Sequence, residues 1–98
     1  MTKGDNLLAC LAEECFELGK EVTKALRFGL YDKWKENPIP HDSIPHEFYD
    51  IMGVIEMLYD AGILERPTDE KIQELIKRKK ERVEYFMEYS KKLNRVEE

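Results

Sequence analysis

The stretch DNLLACLAEECFELGKEVTKALRFG, residues 5–29, decides how the chain is read. Leu7, Leu11, Cys15, Leu18, Val22 and Ala25 recur at spacings of three and four, the interval that gathers residues onto one face of an α-helix. Asp5 stands where an N-cap would accept from the first free backbone N–H groups, and Gly29 stands where such a helix ends. The same period returns twice. Ser43 is the expected cap of a second helix running to about Ala61, with Pro45 in its first turn and Ile44, Phe48, Ile51, Ile55 and Leu58 as its stripe. After Gly62, Thr68 caps a third helix, which Ile72, Ile76, Val83, Phe86, Ser90 and Leu93 carry to about Leu93.

Residues 30–43 break the pattern. Pro38 and Pro40 prevent a continuous helix, and the segment, decorated by Tyr31, Trp34 and His41, leaves room for a short helical turn around Asp32–Glu36. The expected fold is all-α: an antiparallel helical bundle of three long helices plus that short one, in a single domain over residues 1–98, with residues 94–98 frayed. A chain of 98 residues buries a modest fraction of its surface, so oligomerisation would complete the core.

Composition narrows the function. A net charge of −5 argues against binding a nucleic-acid polymer, whose phosphates call for clustered Lys and Arg. It leaves room for small phosphorylated ligands, because a metal ion reverses the local sign. Cys10 and Cys15 diverge by about 140° on a helix and cannot bridge within it. Buried reduced thiols are expected, which fits a cytoplasmic protein. No leader pattern and no long apolar run is present, so no membrane association is expected.

Two carboxylate pairs carry the chemistry. Glu14 and Glu17 form E-x-x-E on the first helix, and Glu47 and Asp50 form E-x-x-D on the second. Residues three apart share a helix face. Relative to Leu18, Glu14 lies about 40° and Glu17 about 100° to one side; relative to Ile51, Glu47 and Asp50 repeat those offsets in the same sense. If the helices pack antiparallel, all four border one edge of the interface. Carboxylates crowded there raise one another's pKa, and a divalent cation removes the repulsion. Oxygen-only ligation suits Mg²⁺, or Mn²⁺ in its place, better than zinc. Mg²⁺ commonly takes further oxygens from substrate phosphates, which points to a phosphorylated substrate. Against this stands the ordinary reading, since acidic pairs on helices usually face water.

On the third helix Lys79 falls inside the apolar stripe and Arg82 at its border, placing two cations where they could meet phosphate charge, although such a lysine usually snorkels to solvent. Glu21, about 60° off the first stripe, is a candidate outer-shell ligand or water-polarising group; Glu13 reads as solvated surface. Phe28, Tyr31 and Trp34 could stack on a base, but aromatics beside a bundle are more often packing residues. His41 and His46 lack a nucleophile partner, and His46 reads as a first-turn residue.

LAEECFEL (Leu11 to Leu18) followed by HEFYDIM (His46 to Met52) resembles the MazG-like nucleotide pyrophosphohydrolases, an all-α family. The resemblance spans roughly Leu7 to Val83. It implies that Glu14, Glu17, Glu47 and Asp50 are Mg²⁺ ligands, with Glu14 or Glu17 also orienting the attacking water, and that the K-x-x-R of Lys79 and Arg82 grips phosphates. It further implies hydrolysis of a nucleoside triphosphate between the α and β phosphates, and assembly as a homodimer or homotetramer. The 29 residues between the two acidic motifs make this gap long for the family. The rival readings are a non-catalytic helical interaction module and a nucleotide-binding regulator without turnover.

Overall fold

The computed structural model describes residues 1–33, 35 and 37–97. The short turn expected around Asp32–Glu36 falls partly outside them, as does Trp34. The described residues form three α-helices and no strand: α1, Lys3–Phe28; α2, Pro40–Asp60; and α3, Asp69–Lys92. They divide into two compact units, Met1–Glu65 holding α1 and α2, and Arg66–Glu98 holding α3.

Both helices of the first unit begin earlier than their polar residues suggest. Thr2 caps α1: its Oγ1 accepts the Asp5 N–H at 3.0 Å, while Asp5 Oδ2 accepts the Thr2 N–H at 3.2 Å. Asp5 is therefore the third helical residue of a reciprocal capping box, not the cap. In α2, Ile39 is the N-cap and Pro40 the first helical residue, where a missing N–H loses no bond. Ser43 consequently lies inside α2 and is buried, so the expected start at Ser43 is corrected by one helical turn. Gly29 and Gly62 stop the two helices at φ 108° and 72°, conformations that other residues rarely adopt.

α1 and α2 pack antiparallel. At one end the His41 N–H donates to the Leu30 carbonyl at 2.9 Å, and the Ser43 hydroxyl donates to Glu21 Oε2 at 2.9 Å. At the other, the start of α1 passes so close to Ile63 that a Cβ on Gly4 would meet Ile63 Cδ1 at 3.0 Å. Leu7, Ile51 and Leu58 form the buried centre, with Leu58 wholly enclosed. The α1 face against α2 centres on Leu7 and Ala25, about 20° from Leu18 toward the acidic side; that of α2 centres on Pro40 and Leu58, about 20° from Ile51 in the same sense. This rotation corrects the expected stripes. Cys15 and Phe48 fall about 80° from the packing centres, and both are exposed together with Val22. The thiols follow: Cys10 is half-buried, whereas Cys15 is exposed rather than buried, and both are free.

In the second unit, Thr68 Oγ1 accepts the Lys71 N–H at 3.1 Å, and Asp69 and Glu70 sit in the first turn of α3. No residue of α3 is buried; Ile76, Val83 and Phe86 remain exposed. Among the described residues, no helix is long and apolar enough to cross a membrane.

Leu58 is the residue whose loss should matter most. Leu58→Ala should cost about 2–5 kcal/mol, the range for truncating a buried leucine, measured by urea unfolding. A loss below about 1 kcal/mol would mean that the centre of the hairpin lies elsewhere.

Candidate functional site

The rotation that exposes Cys15 turns the acidic pairs inward. Glu14 and Glu47 lie only about 20° from their packing centres, and both are half-buried. Glu17 sits on the solvent side of its pair and is exposed, and the Asp50 side chain is 44% exposed. Burial, followed by the negative charges of Asp50, Glu14 and Glu17, pushes the Glu47 carboxyl above its ordinary range, with His46 opposing in part. A group on α2 thus senses both carboxylates of the α1 pair. The two pairs border one edge of the hairpin.

The tightest grouping is on α2. His46, Glu47 and Asp50 each offer a ligand atom within 4.8 Å of the others. His46 Nδ1 lies 3.6 Å from Asp50 Oδ2, beyond a hydrogen bond but close enough for an ion pair when the ring is protonated. His46 is therefore more than a first-turn residue. The signal was in the sequence, since His46 and Asp50 are four apart and flank the same helix face as Glu47. Glu14 and Glu17 stand outside that group. Among the described residues, neither they nor Glu47 forms an ion pair with a lysine or arginine.

Glu21 behaves differently from the other acids. Its Oε1 accepts from Lys24 Nζ at 3.1 Å and its Oε2 from the Ser43 hydroxyl at 2.9 Å. Burial raises its pKa, but the hydrogen bonds from Lys24 and Ser43 and the charge of Lys24 outweigh it and leave the carboxyl below its ordinary value. With both oxygens engaged, Glu21 is a fixed anion that ties α1 to α2. That geometry does not suit the outer-shell role expected of it. Glu13 is exposed, as expected.

The aromatic candidates pair locally. The Arg27 guanidinium lies 5.0 Å from the centroid of the exposed Phe28 ring, and Tyr31 stacks on His41 at 5.0 Å. Lys79 and Arg82 belong to α3, where they line an open groove with Val83, Phe86, Met87 and Ser90. Both cations are exposed on this unit.

Chemically, the hairpin edge offers four carboxylates and one imidazole. Among the described residues, only His46, Glu47 and Asp50 converge closely enough to share an ion; carboxylate oxygens are the donors that Mg²⁺ takes, and an imidazole beside them is a donor that Mn²⁺ also accepts. The reluctance of Glu47 to ionise is the observation on this chain that such an ion would relieve. No protein-family model matches the chain, and neither a curated protein nor a solved structure matches it.

The raised pKa of Glu47 fixes the sign of a pH effect. Stability present below the ordinary glutamate range is lost as pH rises through the elevated value. Glu47→Gln should therefore raise the thermal midpoint at pH 7 in metal-free buffer, and the gain should vanish below about pH 4, under the usual glutamate pKa. A variant no more stable than the parent at pH 7 would show that the carboxylates do not repel across the hairpin.

Proposed function

We propose that the chain is a divalent-metal-dependent nucleotide pyrophosphohydrolase of the MazG-like kind that its motifs resemble. It would cleave a nucleoside triphosphate to a monophosphate and pyrophosphate. One observation carries this reading: two carboxylate pairs on antiparallel helices border one edge, close enough that Glu14 and Glu17 hinder ionisation of Glu47. A hairpin stabilised only by packing would have no use for that repulsion.

Glu14, Glu17, Glu47 and Asp50 would hold Mg²⁺ or Mn²⁺, with His46 at the margin of the set. Bound there, the ion would supply a water of lowered pKa and offset charge on the phosphate oxygens. Glu14 or Glu17 acts as hydrogen-bond acceptor for the attacking water and fixes the lone pair that meets the α-phosphorus. The resemblance would give the β and γ phosphates to the K-x-x-R of Lys79 and Arg82, Arg82 through its planar fork and Lys79 as a mobile point charge. A new oxygen–phosphorus bond forms at the α-phosphorus as the water's proton passes to Glu14 or Glu17, the bond from the α-phosphorus to the bridging oxygen breaks, and pyrophosphate departs on that oxygen with the electron pair. Glu21, held by Ser43 and Lys24, keeps the two helices in the register that places the pairs side by side. Assembly as a homodimer or homotetramer belongs to the same proposal.

A second reading has its own support. Phe16 and Leu26 project from α1 at 76% and 83% exposure, as on a helix made to meet another protein. A pure interaction module would tolerate neutralising the quartet.

Pyrophosphate release from a panel of nucleoside triphosphates with Mg²⁺ is the deciding measurement, paired with thermal shift. Activity is expected in the parent and background release in Glu47→Ala, with helicity unchanged; Lys79→Ala and Arg82→Ala should raise KM more than they lower kcat. Full activity in Glu47→Ala rejects the site. A nucleotide-dependent shift without turnover identifies a regulator, and no shift with any nucleotide identifies a module.

A further inference from the structure

We infer that the cavity at the connection end of the hairpin is the base subsite of the nucleotide and takes the single ring of a pyrimidine. The inference rests on the proposed function, because a base belongs there only when its phosphates lie on the acidic edge. The cavity is lined by Lys24 and Phe28 of α1, by Asp32, Asn37 and Pro38 of the connection, and by Pro40 at the start of α2. Its wall is mostly apolar, with Lys24, Asp32 and Asn37 as the polar members.

Helical geometry puts this cavity on the same side as the carboxylates. Glu14, Glu17, Glu21, Lys24 and Phe28 follow one another at spacings of three, four, three and four. All five fall between about 20° and 100° from the packing centre of α1, on the acidic side. Seven residues separate Glu17 from Lys24, and seven separate Glu47 from Pro40, which is about 10 Å of rise on either helix. Because the helices are antiparallel, both distances run the same way, toward the connection. The hydrogen bond from Ser43 to Glu21 lies between the acids and the cavity. A nucleotide spans that gap. Six bonds of about 1.5 Å join the α-phosphorus to the base nitrogen, so an extended nucleotide sets its ring about 10 Å from an ion held by an α-phosphate oxygen.

The wall suits a base. Phenylalanine and proline rings are flat apolar surfaces on which a planar heterocycle can lie. The walls are formed in advance: Pro38 and Pro40 restrict their own backbone, Gly29 turns the chain at φ 108°, and the His41 N–H donates to the Leu30 carbonyl at 2.9 Å. At the exposed rim Asn37 carries an amide that both donates and accepts, as reading a base edge requires. Size chooses the base class. The cavity holds about 80 Å³, roughly half the volume of an enclosed cavity that takes benzene. One ring therefore enters by its edge, and the fused rings of a purine would be left largely in solvent.

Calorimetric titration of the full chain with Mg²⁺ and CMP, UMP, AMP or GMP reads the subsite without turnover, and inorganic tripolyphosphate serves as the probe that lacks a base. The pyrimidine monophosphates should bind at least about tenfold tighter than the purine ones. Phe28 is 60% exposed, so Phe28→Ala should keep the helicity and thermal midpoint of the parent. It should weaken CMP at least about fivefold, the low end for loss of a stacking partner, and leave tripolyphosphate unchanged. Asn37→Trp, which fills the mouth of the cavity from an exposed position, should do the same. Tripolyphosphate binding with CMP affinity indifferent to both variants overturns the inference and leaves the acidic site standing, as does an equal loss of both probes. Equal affinity for AMP and CMP overturns the selection by size. Failure of all five probes to bind overturns this inference together with the proposed function.

Discussion

The packing of α1 against α2 depends on where its centre line falls. Leu7 and Ala25 on one helix, and Pro40 and Leu58 on the other, set that line about 20° nearer the acids than an apolar-stripe reading places it. Leu58 is wholly enclosed there, and Ser43 with Glu21 fixes the register by a hydrogen bond across the helices. The small rotation has large effects. It brings Glu14 and Glu47 into half-burial, where their charges interact through less water, and it releases Cys15, Val22 and Phe48 to solvent. Acidic edge and apolar outer face are two sides of one packing angle.

Much of this was legible in the residues themselves. Helical period gave three helices and their approximate ends, because spacings of three and four need no tertiary information. The offsets of Glu14, Glu17, Glu47 and Asp50 from their stripes were legible for the same reason, and the charge of Glu14 and Glu17 reaches Glu47 on the other helix. Helix starts were harder, since capping residues compete. Thr2 and Asp5 both qualify, and only the reciprocal hydrogen bonds show that Asp5 completes the cap which Thr2 begins. Ser43 was misleading for a related cause: a serine before an apolar run reads as a cap, but its hydroxyl is directed to Glu21 on another helix. His46 and Glu21 changed places in importance because one-dimensional spacing does not say which acid finds a partner.

The two units differ in charge as well as in packing. Residues 1–65 carry thirteen acidic against six basic side chains, while residues 66–98 carry eight against ten. The acids concentrate where the hairpin can gather them, and the basic run Lys77–Lys80 with Arg82 lies on a helix that buries none of its own residues.

The separation of acidic edge from apolar face has a physical logic of its own. An edge that takes up a hydrated divalent ion and an anionic ligand needs solvent access, and its carboxylates would be costly to bury in an interface with nothing to pair them. A helical hairpin with a small core, in contrast, leaves Leu8, Phe48 and their neighbours without cover. Placing the two demands on opposite faces meets both at once. A cation at the acidic edge would relieve Glu47 and would leave the apolar residues on the other side of the hairpin untouched.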